Sequence, residues 1–212
     1  VKALIEAGAD VNKGNDDGWT PLIAAAERDN EAAVKALIKA GADMIKADNY
    51  GWTPLYRAAF NGHVAVVKAM IEAGADVNKG DDDGETPLYT AIRLGDEAAI
   101  QVLIDAGADV NKADDAGRTP LCMVLESDWI HEWSTSVVKM LVDAGAAHDL
   151  FSAAYLGLVD VMDSLIKAGA DMNKAKHDGE TPMYVAAWKG HVAVVKALIE
   201  AGADVNKGND DG

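Results

Sequence analysis

The sequence predicts an all-α solenoid of helix–turn–helix repeats, and two regular spacings support that prediction. One is a glycine at the turn before each Thr-Pro step, which recurs at intervals of 33 residues in two stretches of the chain. It stands at Gly18, Gly51, Gly84 and Gly117, and again at Gly179 and Gly212. The other is a Gly-Ala-Asp signature, which begins at Gly8, Gly41, Gly74, Gly107, Gly169 and Gly202. A fixed period of this length indicates supersecondary units that stack into one elongated array.

The unit at 48–80 shows why each repeat should contain a first helix. Residues 48–52 are polar and include a glycine, which is typical of a turn. Thr53 can then cap a helix with its hydroxyl, and Pro54 suits the first helical position because that position needs no N–H. Gly62 can end the helix because glycine accepts the left-handed conformation. Asp29-Asn30 replace Gly-His in an earlier repeat, and both residue types tolerate the same conformation.

A second helix follows in the same unit and should end at Gly74. Its apolar residues are Val64, Val66, Val67, Met70 and Ile71. Both helices are too short to be stable alone in water. Each must therefore bury its apolar face against neighbouring repeats, which explains why such units stack.

The motifs Gly-Trp-Thr-Pro-Leu, Gly-His-Val-Ala-Val-Val and Gly-Ala-Asp-Val-Asn within 51–78 resemble those of the ankyrin repeat family. The resemblance covers nearly all of the chain. It implies an ankyrin-repeat solenoid in which each turn projects as a β-hairpin finger, and in which fingers and first helices line a concave binding surface. The family's histidine after Thr-Pro-Leu is absent, which weakens the expected link between neighbouring turns. Its place is taken by Ile23, Tyr56, Tyr89, Cys122 and Tyr184.

The repeat motifs divide residues 1–212 into a single array with two irregular members. The expected divisions are a partial repeat at 1–14, full repeats at 15–47, 48–80 and 81–113, and a repeat at 114–147 with an insertion at 128–132. They continue with a repeat at 148–175 that lacks its finger, a regular repeat at 176–208 and the start of another at 209–212. In the fifth repeat, His148 aligns with Thr53.

Residues 1–18 and 195–212 are identical, and three explanations fit this identity. The chain can be a window cut from a longer array, with a super-repeat of 194 residues. It can instead reflect recent duplication, since 62–84 and 190–212 differ at only two positions. In a third explanation, uncapped ends stack head to tail into an open filament.

Charge and composition restrict the class of partner. The net charge is −16 with a pI near 4.5, which argues against nucleic acid or an anionic membrane surface because both repel a negative field. A protein partner, particularly one with a basic surface, suits this charge better. The sequence contains no apolar run of about 18 residues, so it predicts no membrane span. Cys122 is the single cysteine, so no internal disulfide can form and a cytoplasmic location is expected.

No combination of residues predicts catalysis, a metal site or a cofactor, so we expect a protein that is not an enzyme. Cys122 is interpreted as a packed structural thiol, because no neighbouring base that could activate it is evident. His131, Glu132 and His148 lack the spacing typical of a metal site. The acidic runs at 81–84 and 209–212 match a calcium loop poorly and are better explained as solvated finger tips.

The resemblance places a binding surface at the finger tips and at the variable residues that end the first helices, and we add the variable position after Thr-Pro-Leu-x, which holds Arg57. All four arginines and three of the five tryptophans fall on such positions, and both residue types are enriched in interface hot spots. The predicted contact residues are Trp19, Arg28, Tyr50, Trp52, Arg57, Phe60, Glu85, Arg93, Leu94, Arg118, Glu180 and Trp188. In the alternative interpretation, Trp19 and Trp52 merely pack on adjacent fingers.

A second candidate region is the insertion, where Trp129 and Trp133 lie four residues apart. Either they form a partner pocket or self-association contact, or they cover core that the irregular repeat leaves exposed. The leading functional prediction is a noncatalytic protein–protein interaction scaffold. The alternative is a structural array that assembles with itself.

Overall fold

A computed structural model describes residues 3, 6–126, 134–176 and 179–207 of the protein. These residues form twelve α-helices and no β-strand. The helices are α1 (Pro21–Glu27), α2 (Glu31–Lys39), α3 (Pro54–Phe60), α4 (Val64–Glu72), α5 (Pro87–Leu94), α6 (Glu97–Asp105), α7 (Pro120–Glu126), α8 (Ser134–Asp143), α9 (Leu150–Leu156), α10 (Val159–Lys167), α11 (Pro182–Trp188) and α12 (Val192–Glu200). The chain divides into two compact units, residues 1–145 and 146–212.

In the first unit, the first helices of successive repeats (α1, α3, α5, α7) pack side by side, and the second helices (α2, α4, α6, α8) do the same. Each first helix also packs on the second helix of its own repeat. The leucine of every Thr-Pro-Leu step is buried between these layers, at Leu22, Leu55, Leu88 and Leu121. Neighbouring repeats thus supply the burial that a helix pair could not achieve alone.

Most of the first helices that follow Thr-Pro begin as the sequence predicts, although Thr86 makes no capping bond to α5. The hydroxyl of Thr53 accepts a hydrogen bond from the backbone N–H of Tyr56 at 3.2 Å, and Pro54 occupies the first helical position. Thr20 and Thr181 cap α1 and α11 in the same way. The helix ends are confirmed too, because Gly62 has φ +70° and Asp29, which replaces it one repeat earlier, has φ +53°.

Asparagines of the Val-Asn step connect neighbouring repeats, a role that the motif alone did not reveal. The side-chain oxygen of Asn12 accepts a hydrogen bond from the backbone N–H of Asp43 at 2.7 Å. Asn78 accepts the equivalent bond from Asp109, also at 2.7 Å. Each bond spans 31 residues and therefore joins the loop of one repeat to the loop of the next.

The second unit contains the helix pairs α9–α10 and α11–α12, with α9 packed on α11 and α10 on α12. Helix α9 begins at Leu150 and is capped by Asp149, one residue later than the alignment of His148 with Thr53 predicts. Asp149 and Ser152 form a capping box, in which each side chain accepts the other residue's backbone N–H. This box starts the helix without Thr-Pro. In the described part of the chain, no helix is long and apolar enough to cross a membrane.

Candidate functional site

The fingers of the first unit are tight turns, numbered here finger 1 (15–19), finger 2 (48–52), finger 3 (81–85) and finger 4 (114–118). In finger 2, the backbone N–H of Asp48 donates to the carbonyl of Trp52 at 3.1 Å. The Asp48 carboxylate also accepts the backbone N–H groups of Tyr50 and Trp52, at 2.9 and 3.0 Å. Equivalent side-chain bonds are made by Asn15, Asp81 and Asp114. The hairpin that the family implies is therefore a hydrogen-bonded turn.

Successive fingers touch through their backbones. The N–H of Asn49 donates to the carbonyl of Asp17 at 3.1 Å, which links finger 2 to finger 1. The N–H of Asp115 donates to the carbonyl of Asp83 at 3.0 Å, which links finger 4 to finger 3. These bonds connect neighbouring turns although Ile23 and Cys122 stand where the family has histidine.

Arg57 lies between two tryptophans from adjacent fingers. Its guanidinium carbon is 4.6 Å from the ring centre of Trp19 and 4.1 Å from that of Trp52. The guanidinium also donates two hydrogen bonds to the Asp48 carboxylate, at 2.7 and 3.2 Å, and lies 3.6 Å from the carboxylate of Glu27. Charge-assisted bonds and cation–π contacts of this kind fix both indole rings in place.

Trp52 continues this arrangement into a group of aromatic rings. Its ring centre is 5.0 Å from that of Tyr56, 4.9 Å from that of Phe60 and 6.1 Å from that of Tyr50. All three pairs are tilted, which suits the quadrupoles of aromatic rings. Tyr56 is buried, Trp52 and Phe60 are partly buried, and Tyr50 is largely exposed.

A second arginine extends the group into the third repeat. Arg93 forms an ion pair with Glu85 at 3.0 Å and lies 5.9 Å from the ring centre of Phe60. The Tyr56 hydroxyl lies 3.4 Å from the Glu85 carboxylate. Burial, together with the carboxylates of Asp81 and Glu85, raises the pKa of Tyr56, so its hydroxyl is protonated at neutral pH and can donate.

We call Trp19, Tyr50, Trp52, Arg57, Phe60, Glu85 and Arg93 the aromatic–arginine cluster. These seven of the predicted contact residues are joined by the contacts described above. Three other predicted contact residues of the first unit are not among those contacts. Arg28 and Leu94 are exposed, and Arg118 pairs with Asp114 of its own finger at 2.6 Å.

The structure changes the interpretation of Arg57. The sequence suggested direct contact with a partner, but only 10% of the Arg57 side chain is exposed. Its charge is already matched by Asp48 and Glu27. Arg57 is therefore placed to position Trp19 and Trp52, both of which are partly exposed.

In the second unit, Trp188 is 56% exposed at the end of α11. The ammonium of Lys189 lies 3.8 Å from the ring centre of Tyr155 and 4.7 Å from that of Trp188. The Glu180 carboxylate lies 4.0 Å from the ammonium of Lys176. Trp129 and Trp133 lie outside the described residues.

Sequence reasoning missed three contributors to these groups. Asp48 was assigned only to a turn, although its position four residues before Trp52 and nine before Arg57 allows it to hold both. Tyr56 was recognised only as a replacement for the family histidine. Lys189 was not predicted to belong to the surface, and no sequence signal predicted its stacking.

The two Gly-His histidines connect repeats. The ring of His63 hydrogen-bonds to the carbonyl of Glu27 at 3.1 Å, and the ring of His191 bonds to that of Tyr155 at 2.9 Å. Each contact spans 36 residues and reaches the first helix of the preceding repeat.

Among the described residues, no three His, Cys, Asp or Glu side chains converge in a geometry that could hold a metal ion. Cys122 is a half-buried free thiol.

The repeat assignment is supported by family comparison. A family model described as ankyrin repeats (3 copies) matches residues 1–81, 73–151 and 131–209. No curated protein matches the chain. The matched stretches together cover nearly every residue, in agreement with the helix pairs, the Thr-Pro caps and the linked loops. The chain therefore belongs to the ankyrin repeat family.

Proposed function

We propose that this chain is a noncatalytic scaffold that binds a protein partner through the aromatic–arginine cluster of the first unit. Ankyrin repeats are generally protein–protein interaction modules. The observation that supports this surface is the group of partly exposed rings, Trp19, Trp52 and Phe60, held beside exposed Tyr50 on adjacent fingers and first helices.

The physical argument is preorganisation. Arg57 fixes two indole rings through contacts of 4.6 and 4.1 Å, so binding would not need to immobilise them. Side chains that are already ordered lose less entropy when a partner docks. Tryptophan, tyrosine and arginine are also the residue types that most often dominate interface energetics.

Substitution of Trp52 tests the proposal. Peptide binders would be selected from an unbiased displayed library against the 212-residue chain, and their dissociation constants measured by calorimetry. We expect Trp52→Ala to weaken binding by about 2 kcal/mol or more if this ring is a hot spot. Ile45→Ala is the matched control, because Ile45 is 63% exposed and is not one of the predicted contact residues.

Trp52→Ala also removes packing with Tyr56 and Phe60, so its melting temperature must be measured in parallel and binding compared well below it. Trp52→Phe retains a ring and should retain part of the affinity. Unchanged affinity in the Trp19→Ala and Trp52→Ala variants would refute the proposal.

A second candidate function, self-assembly, is favoured by apolar side chains that are exposed on α11 and in the loop after α12. Residues 190–208 repeat the sequence of 62–80 with one change, yet Val205 is 60% exposed where Val77 is 8% exposed. Tyr184 is 37% exposed where Tyr56 is 1% exposed. In the first unit, the following repeat packs against this face, so the repeat of a second copy is a suitable occupant.

Light scattering tests the assembly of the 212-residue chain. We expect its mean mass to rise with concentration, and Val205→Asp to suppress that rise because a charge would enter the apolar contact. Ile45→Asp places the same charge on an exposed residue of the first unit and should not suppress it. A mass that stays monomeric at every concentration would exclude this function.

A further inference from the structure

We propose that the tip of finger 2 receives a lysine or arginine side chain from a basic protein segment. The receiving residues are Tyr50 and Trp52 of finger 2 together with Asp82 of finger 3. The proposal rests on the proposed function and specifies the chemistry of the partner at one position of the same surface.

The aromatic part of the site is exposed and held in place. Tyr50 is 66% exposed, and its ring centre lies 6.1 Å from that of Trp52, with the ring planes inclined at 49°. The Asp48 carboxylate fixes the backbone of both residues by accepting their N–H groups. An exposed, ordered ring can accept a cation on its face.

A carboxylate lies beside this pair. Gly51 separates Tyr50 from Trp52, and a Cβ added to Gly51 would stand 2.8 Å from the carboxyl carbon of Asp82. The exposed Asp82 carboxylate is therefore in contact with the backbone between the two rings. A cation on the Tyr50 face would meet a negative charge from the next finger.

The charges around the site favour a cationic partner. Exposed carboxylates stand on fingers 1, 3 and 4, at Asp16, Asp17, Asp82, Asp83 and Asp115. Three of the four arginines at the predicted contact positions are matched by carboxylates of their own repeats: Arg57 by Asp48, Arg93 by Glu85 and Arg118 by Asp114.

Two of the neighbouring lysines are drawn away from the finger tips. Lys46 and Lys112 donate their ammonium groups to the backbone carbonyls of Asn12 and Asn78, at 2.7 and 2.6 Å, which draws both charges to loops of the preceding repeats. Fingers with a negative field attract a basic segment and repel a phosphorylated or nucleic-acid partner.

A titration with defined peptides tests this inference. The probe is a fluorescein-labelled decapeptide of alternating Lys and Gly, and its counterpart has Gln in place of Lys. Binding to the 212-residue chain is followed by fluorescence anisotropy at low salt. We expect the Lys peptide to bind and the Gln peptide to bind far more weakly.

Two charge-matched pairs of variants separate the site from bulk attraction. Tyr50→Ala leaves the net charge unchanged and should weaken binding about two- to five-fold, as expected for an exposed cation–π contact. Ile45→Ala is its control and should have no effect. Asp82→Asn should weaken binding more than Asp105→Asn, which removes the same charge from the end of α6.

Tyr50→Phe retains the ring face and should bind like the original chain. Equal binding by Tyr50→Ala and Ile45→Ala, or by the two aspartate variants, would overturn the inference, as would failure of the Lys peptide to bind. These results would leave the proposed function standing, because that function is judged by the loss of library-selected binders in the tryptophan variants.

Discussion

At the scale of single residues, Arg57 shows how one side chain can organise a surface. It stands at a position where other repeats have Ala24, Thr90, Met123 or Val185, so the repeat framework does not require it. Its partner Asp48 has a side chain with no exposed surface. A carboxylate in that position needs its cation, because an unpaired buried charge is strongly destabilising.

Replacing Arg57 should therefore lower the free energy of unfolding. We expect Arg57→Met to cost about 3 kcal/mol, as when one member of a buried ion pair is removed, measured by urea unfolding. Asn at position 48 could still accept the finger's N–H groups, as Asn15 does in finger 1. Asp48→Asn combined with Arg57→Met should thus recover part of the loss. A double variant no more stable than Arg57→Met would contradict the buried-charge explanation.

Asp114 predicts a dependence of stability on pH. Burial alone would raise its pKa, but the Arg118 backbone N–H and guanidinium outweigh burial and lower the pKa below its usual value of 3.8. A carboxyl with a lowered pKa stabilises the fold above its unfolded pKa, and that contribution is lost as pH falls through the folded pKa.

Asp114→Asn should accordingly be less stable near pH 7 by about 1 kcal/mol, since Arg118 is half exposed. The difference from the original chain should shrink below about pH 4. Thermal unfolding across pH measures this effect. Asp115→Asn removes an exposed neighbouring carboxylate and is the control; if it showed the same profile, the Arg118 bond would not be the cause.

At the scale of elements, the fingers depend on close backbone contact between neighbours. Gly51 has φ +75°, and an added Cβ would lie 2.6 Å from the backbone nitrogen of Asp82. Gly117 occupies the same place in finger 4 with φ +78°, but a Cβ there would meet no atom of the described residues within 4 Å.

The two glycines make a matched pair of variants. Both alanine substitutions incur the left-handed penalty of about 1 kcal/mol, but only Gly51→Ala must also displace backbone of the next finger. We expect Gly51→Ala to lower the free energy of unfolding by about 1–3 kcal/mol more than Gly117→Ala. Equal losses in urea unfolding would show that finger contact adds nothing.

The sequence predicted most of the helices because each repeat contains residues that mark where its helices begin and end. Thr53-Pro54 and Gly62 mark the ends of α3 through local chemistry alone. The packing of Arg57 between Trp19 and Trp52 was not predictable, because it depends on side-chain directions in residues 38 and 5 positions away. The cap at Asp149 was missed because a deletion removed the motif that sets the register.

At the scale of the whole molecule, each repeat makes its contacts with the repeats next to it in the chain. The hydrogen bonds described above between repeats span 29 to 36 positions, as between Tyr56 and Glu85 or between His63 and Glu27. They therefore connect a repeat to its immediate neighbour. In such an array, stability is a sum of repeat terms and nearest-neighbour terms, so a local change should be felt nearby and fade with distance.

Hydrogen exchange on the Arg57→Met variant tests this locality. We expect faster amide exchange in α1 to α6, which belong to the repeat that contains Arg57 and to its two neighbours. Local opening of these repeats should need less free energy in the variant. Exchange in α9 to α12 should stay as in the original chain. The reciprocal variant, Asp149→Ala, removes the cap of α9 and should raise exchange there without affecting α1 to α4. Faster exchange throughout the chain in both variants would contradict this expectation. It would show that the cluster and the second unit exchange through one global unfolding reaction with a single free energy.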